Sequence, residues 1–125
     1  IHTNSLTMEN AWLDEAAQMD PFSYNIAINR EVGERKGFSS GDLVWVENEG
    51  GRKVKGKLRL TEAIHPEGLG IGACAGHWAA KMPVAKGKGV FFNDLLELDI
   101  DHSSPADLTL DICVKVKISK LDGAA

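Results

Sequence analysis

The sequence predicts a mainly β fold in which short strands close into a barrel, accompanied by a few short helices. Three observations carry this expectation. Apolar and polar residues alternate over several short runs, as strands with one buried face require. Glycine-bearing turns punctuate those runs, most plainly Glu49-Gly50-Gly51. Short one-sided strands leave exposed edges unless the sheet closes on itself.

The chain has 125 residues, the size of one domain with a core of its own. Hydrophobic residues make up 43% and charged residues 26%, a globular rather than disordered composition. The net charge of −4 argues against nucleic acid as a main partner, because phosphate binding needs clustered positive charge. No apolar run approaches the ~20 residues that span a bilayer, so direct membrane insertion is not expected. The opening Ile1-His2-Thr3 has neither an initiator Met nor a basic-then-apolar start, which reads as a longer protein cut at this point.

Residues 10–18 are expected to form a short helix capped by Asn10, with Trp12, Leu13 and Ala16 on one face and Asp20-Pro21 ending it. Tyr24, Ile26 and Ile28 alternate as a strand. Asn29 then caps a second helix, Arg30 to Lys36, which stops at Gly37. After the Ser40-Gly41-Asp42 turn comes a β-rich run, Leu43 to Glu47. In the return strand Val54, Leu58 and Leu60 point one way and Lys55, Lys57 and Arg59 the other. The basic cluster from Arg52 to Arg59 thus reads as a solvated strand face. Gly56, on the apolar side, suggests a bend or bulge.

Leu69 to Cys74 reads as a strand of small residues. A long loop with glycines and lysines follows over residues 75–90, and Asn93 to Glu97 as a single helical turn. The strongest alternation comes last, with Leu108, Leu110, Ile112, Val114, Val116 and Ile118 on one side. Cys74 and Cys113 both lie in apolar stretches and read as reduced, buried thiols.

Candidate chemistry is sparse. None of the four histidines sits in a nucleophile elbow, a zinc-protease helix or a phosphate loop. Cys74-Ala-Gly-His77 has the spacing of half a zinc site, but the other half has no paired partner. Gly68, Gly70, Gly72 and Gly76 precede His77-Trp78, in a spacing that is not the dinucleotide fingerprint. Two readings of that loop stand side by side. One is an ordinary flexible loop. The other is an anion nest, with Lys81, Lys86 and Lys88 adding charge for phosphates. The leading segment His2 to Thr7 likewise reads either as a loose end or as a polar strand for a heteroatom-rich ligand.

Taken in order, these pieces resemble a known family. Its residues are Tyr24-Asn-Ile-Ala-Ile-Asn29, a short helix, Gly37-Phe-Ser-Ser-Gly-Asp-Leu-Val-Trp-Val-Glu47, Gly50-Gly-Arg with a return strand, and Leu60-Thr-Glu-Ala-Ile-His-Pro-Glu-Gly68. They are similar to the C-terminal dinucleotide-binding domain of the dimethyl-sulfoxide-reductase family of molybdopterin oxidoreductases. The resemblance covers nearly the whole chain and implies a six-stranded double-psi β-barrel. Residues 1–125 then form one domain, with a polar leading segment and short helix over 1–20 and the barrel over 21–120.

The resemblance further implies binding and orientation of molybdopterin guanine dinucleotide, alongside the remaining domains of a parent molybdenum or tungsten oxidoreductase. On matching positions it points to His2, Thr3, Asn4 and Thr7 in the leading segment, to Gly76, His77 and Trp78 in the loop, and to Asn93. These residue types suit a pterin edge and a diphosphate. Asn93 also reads as the cap of the turn it opens. The family's iron–sulfur cysteine pattern and a metal-ligating segment are absent from this stretch. No catalytic or metal-ligating residue is therefore assigned, and the domain is not expected to be active alone. A second class is a double-psi barrel serving as a protein-interaction module, in which the segments around His2 and His77 do not converge. A pyruvoyl-dependent decarboxylase on the same barrel is set aside, because its self-cleavage needs a Gly-Ser pair the sequence lacks.

Overall fold

The computed structural model describes residues 9–73, 75–97, 99–101, 103–106, 109 and 113–121. Among them the order is helix α1 (Ala11–Met19), β1 (Asn25–Asn29), helix α2 (Arg30–Arg35), β2 (Leu43–Asn48), β3 (Lys53–Thr61), β4 (Leu69–Ile71), a 3-10 turn (Phe92–Leu95) and β5 (Val116–Lys120). The five strands make one mixed sheet in the order β4-β1-β3-β2-β5. The chain is mainly β, with few helices.

β3 is the centre of the sheet. It runs parallel to β1, with Ile26 opposite Leu58, and antiparallel to β2, with Val46 opposite Val54. β1 and β2 are consecutive strands of opposite direction, yet β3 lies between them and bonds to both. The outer pairs, β1–β4 and β2–β5, are antiparallel.

Local sequence explains most of these elements. The Asn29 side chain accepts from the Val32 N–H and so caps α2, while its amide donates to the Ile64 carbonyl. α2 ends where Gly37 adopts φ +77 and the Phe38 N–H reaches back to the Gly33 carbonyl at 2.9 Å, closing the last turn. Along β3, Val54, Leu58 and Leu60 are buried and Lys55, Lys57 and Arg59 are exposed, so the basic cluster is a solvated strand face. The core gathers on that inner face, with Ile26, Val44, Val46, Leu58 and Leu95 fully buried.

Four expectations need correction. α1 has the predicted cap, but its buried side chains are Asp14 and Ala17, whereas Trp12 is 85% exposed. An ion pair described below turns the helix that way. Gly56 makes no bulge, since pairing runs unbroken through it opposite Val44. A β-carbon there would come within 2.4 Å of Val90 and 2.8 Å of Ile26, so close packing fixes the glycine. Cys113 is exposed rather than buried, and Cys74 lies outside the described residues. The last strand is regular only from Val116, although Val114, Val116 and Ile118 keep the predicted inward alternation. Leu108, Leu110 and Ile112 lie outside the described residues.

Candidate functional site

The 75–90 loop is held from three directions. It closes on itself where the Gly76 N–H donates to the Lys88 carbonyl at 2.7 Å and the Gly87 N–H to the His77 carbonyl at 3.0 Å. α1 holds it from outside. Glu9, just before the helix, accepts from the Val84 and Ala85 N–H groups at 3.1 and 3.0 Å. Ala17, Ala75 and Ala85 pack together beneath, against Tyr24 and Met82.

At the centre of this contact is the Asp14 carboxylate. It pairs with the Lys88 ammonium and accepts from the Tyr24 hydroxyl at 2.6 Å and from the Gln18 amide at 2.7 Å. Burial alone would push the Asp14 carboxyl up, but the hydrogen bonds from Lys88, Tyr24 and Gln18 together hold it below its ordinary value. Tyr24 moves the opposite way. Burial, its hydrogen bond to Asp14 and the charge of Asp14 all raise its phenol.

Gly76 is the tightest point. Its φ is +81, and a β-carbon would lie 2.1 Å from the Phe91 nitrogen, so backbone crosses backbone there. The next residue, His77, sets its ring 6.4 Å from that of Phe91. Its Nε2 is buried and has no hydrogen-bond partner among the described residues. Trp78 follows at 71% exposure. Asn93, two residues beyond Phe91, is exposed in the 3-10 turn, where its carbonyl accepts from the Leu96 N–H.

That turn is fastened to the β2–β3 hairpin. The buried Asn48 amide donates to the Leu95 carbonyl at 3.0 Å, and its oxygen accepts from the Arg52 N–H at 2.8 Å. The Arg52 guanidinium donates to the Leu96 carbonyl at 3.2 Å.

Of the residues expected at the site, Gly76 and His77 thus both lie against Phe91, the residue that opens the turn carrying Asn93. Trp78 stands on the surface beside them. His2, Thr3, Asn4 and Thr7 lie outside the described residues, so their convergence with His77 does too. Lys88 departs from its expected role, because its charge is spent on Asp14. Lys81 and Lys86 remain exposed. Sequence reading missed Glu9, Asp14 and Tyr24 as the residues that position the loop. The one available signal was Asp14 next to Glu15, two adjacent acidic residues in a short helix of which one must turn away from the solvent side that Glu15 takes. A separate apolar cleft of about 760 Å³ opens between α2, the 3-10 turn and β5, lined by Ile28, Val32, Phe92, Leu95 and Ile118 among others. It touches none of the expected contact residues.

No protein-family model matches the chain. Two curated proteins are similar over part of it. A sulfite dehydrogenase subunit of Allochromatium vinosum is 37% identical over 79 residues, which is 60% of this chain and 8% of that protein. The thiosulfate reductase molybdopterin-containing subunit PhsA of Salmonella typhimurium is 34% identical over 80 residues, 61% of this chain and 10% of that protein. The similar stretch is thus about a tenth or less of either relative. By their names both are redox-enzyme subunits and one contains molybdopterin, so the likeness is to oxidoreductase subunits of that kind.

Proposed function

We propose that this chain is one molybdopterin-dinucleotide-binding domain. It binds and orients molybdopterin guanine dinucleotide within a larger molybdenum or tungsten oxidoreductase, and the remaining domains of that enzyme are its partners. The fold we propose is a six-stranded double-psi barrel. Its support is the arrangement of β1 and β2, consecutive and antiparallel with β3 between them, which is one psi unit. The partial likeness to two redox-enzyme subunits supports the cofactor class.

The observation that carries the binding role is the His77 Nε2, buried beside a glycine-only backbone crossing with no partner among the described residues. Buried polar atoms are nearly always paired, and each exception calls for a missing partner. A pterin edge carries both donors and acceptors, so it suits an imidazole nitrogen and the exposed Asn93 amide. Gly76 lets the backbone come close, Trp78 offers a flat apolar surface, and His2, Thr3, Asn4 and Thr7 would add polar groups from the leading segment. Once bound, the cofactor supplies the metal that passes electrons and oxygen atoms. The residues of this chain grip and orient it.

The test is His77→Ala in the complete enzyme, with bound pterin measured by fluorescence after acid release. Losing one hydrogen bond to the cofactor lowers retention about fivefold to tenfold. The same change removes an unpaired buried nitrogen along with the ring beside Phe91, two opposing effects, so the unfolding midpoint of cofactor-free enzyme changes little beside the loss of pterin. A residue with only a structural role would lower both quantities. Unaltered pterin content in a His77→Ala/Asn93→Ala enzyme would overturn the reading.

A further inference from the structure

We infer that the outer side of α1 is a docking surface for the remaining domains of the enzyme to which this chain belongs, an inference that rests on the reading above. The helix is built inside out. Its inner side presents the Asp14 carboxylate and Ala17, while Trp12 and Met19 stand 85% and 86% exposed. Trp12, Ala16 and Met19 sit at helical spacing and share about 60° of arc. Surface helices ordinarily put the apolar stripe inward and charge outward. The ion pair with Lys88 reverses that order and holds an indole and a thioether out in water.

Two things identify the occupant. The first is scale. The chain matches 8% and 10% of the two relatives, so in proteins of that kind nearly all of the polypeptide lies elsewhere and must pack on a domain of this size. The second is chemistry. The exposed Glu15 flanks the Trp12–Met19 stripe on the same side of the helix. The matching surface is an apolar groove for an indole and a thioether, with a basic side chain at its rim. Exposed aromatic and methionine anchors of this sort carry interface contacts elsewhere.

The test uses the complete native enzyme carrying Met19→Cys or, as an exposed control, Glu62→Cys, whose native side chain is 86% exposed. Each is labelled with a bulky maleimide and read at the substituted position by mass spectrometry, so that Cys74 and Cys113 do not interfere. Expected is a rate at Met19→Cys at least about tenfold below that at Glu62→Cys. Rates within about twofold of each other would overturn the inference. So would protection that vanishes on dilution as the enzyme's mass halves, since a second copy would then be the cover. Pterin content, measured on the same samples, separates the two readings. Protection without pterin supports the docking surface and sinks the cofactor role. Pterin without protection does the reverse.

Discussion

The ammonium of Lys88 pairs with the carboxylate of Asp14, seventy-four positions earlier in the chain, and this contact fastens α1 to the 75–90 loop. Asp14 is only 4% exposed, whereas the Lys88 side chain is 36% exposed. Lys88→Met leaves a buried charge held by Tyr24 and Gln18 alone. Because the lysine is partly in water, the expected loss is about 2 kcal/mol, near the figure for one hydrogen bond to a charged group. The double variant Asp14→Leu/Lys88→Met is expected to lose less than the two single changes added together. Urea midpoints of the four proteins complete the cycle.

The same cluster sets a pH profile. Asp14 titrates below its ordinary 3.8, so the unfolded chain takes up the proton first as acid is added. Its contribution is complete above about pH 5 and fades as pH falls through 3.8 toward the lower folded-state value. Asp20, held low by the Phe22 N–H and then by Ser23, fades on the same side. Tyr24 lies above its ordinary 10.0, so its contribution is complete below pH 10.0 and is lost as pH rises beyond it. The chain has a single tyrosine, so phenolate absorbance reports Tyr24 alone. In Asp14→Asn that absorbance step is expected to move down toward 10.0. A step left in place would remove Asp14 as a cause.

Two loop glycines should respond very differently to alanine. Gly76 and Gly87 have nearly equal φ values, +81 and +76, but a β-carbon meets the Phe91 and Val90 backbone at Gly76 and nothing within 4 Å at Gly87. Gly87→Ala then carries only the left-handed penalty, about 1 kcal/mol. Gly76→Ala adds an overpacking cost and reaches about 3 kcal/mol or more. Thermal unfolding of the two variants reads the difference.

Asn48→Ala strips the Leu95 carbonyl and the Arg52 N–H of their buried partner at once. A cost of about 2 kcal/mol is expected. Faster amide exchange should follow at Arg52 and in the 3-10 turn that carries Asn93, with the centre of β3 less affected.

What the sequence made legible was local. The Asn29 cap, the Gly37 stop and the alternation of Val54, Leu58 and Leu60 each need only a few neighbouring residues to be read. What stayed hidden depends on distant partners. Nothing near Asp14 announces Lys88, so Trp12 and Leu13 looked like the inner face of α1. Gly56 looked like a bend because Ile26 and Val90, which crowd it, come from elsewhere in the chain. At the candidate site Gly76, His77 and Asn93 could be named from resemblance. The approach of Gly76 and His77 to Phe91, and the loss of Lys88 to Asp14, needed the fold.

The central place of β3 has a consequence for synthesis on the ribosome. β1 emerges early, carrying the wholly apolar run Ile26-Ala27-Ile28, and its parallel partner is not yet made. β2 comes out next and turns directly into β3, so that hairpin can assemble at once from adjacent residues. Until it does, the first strand waits with a sticky edge, the condition in which nascent chains aggregate or recruit a chaperone. The interval of translation between Asn29 and Thr61, the last partner of β1 on β3, is therefore the vulnerable moment in the birth of this domain.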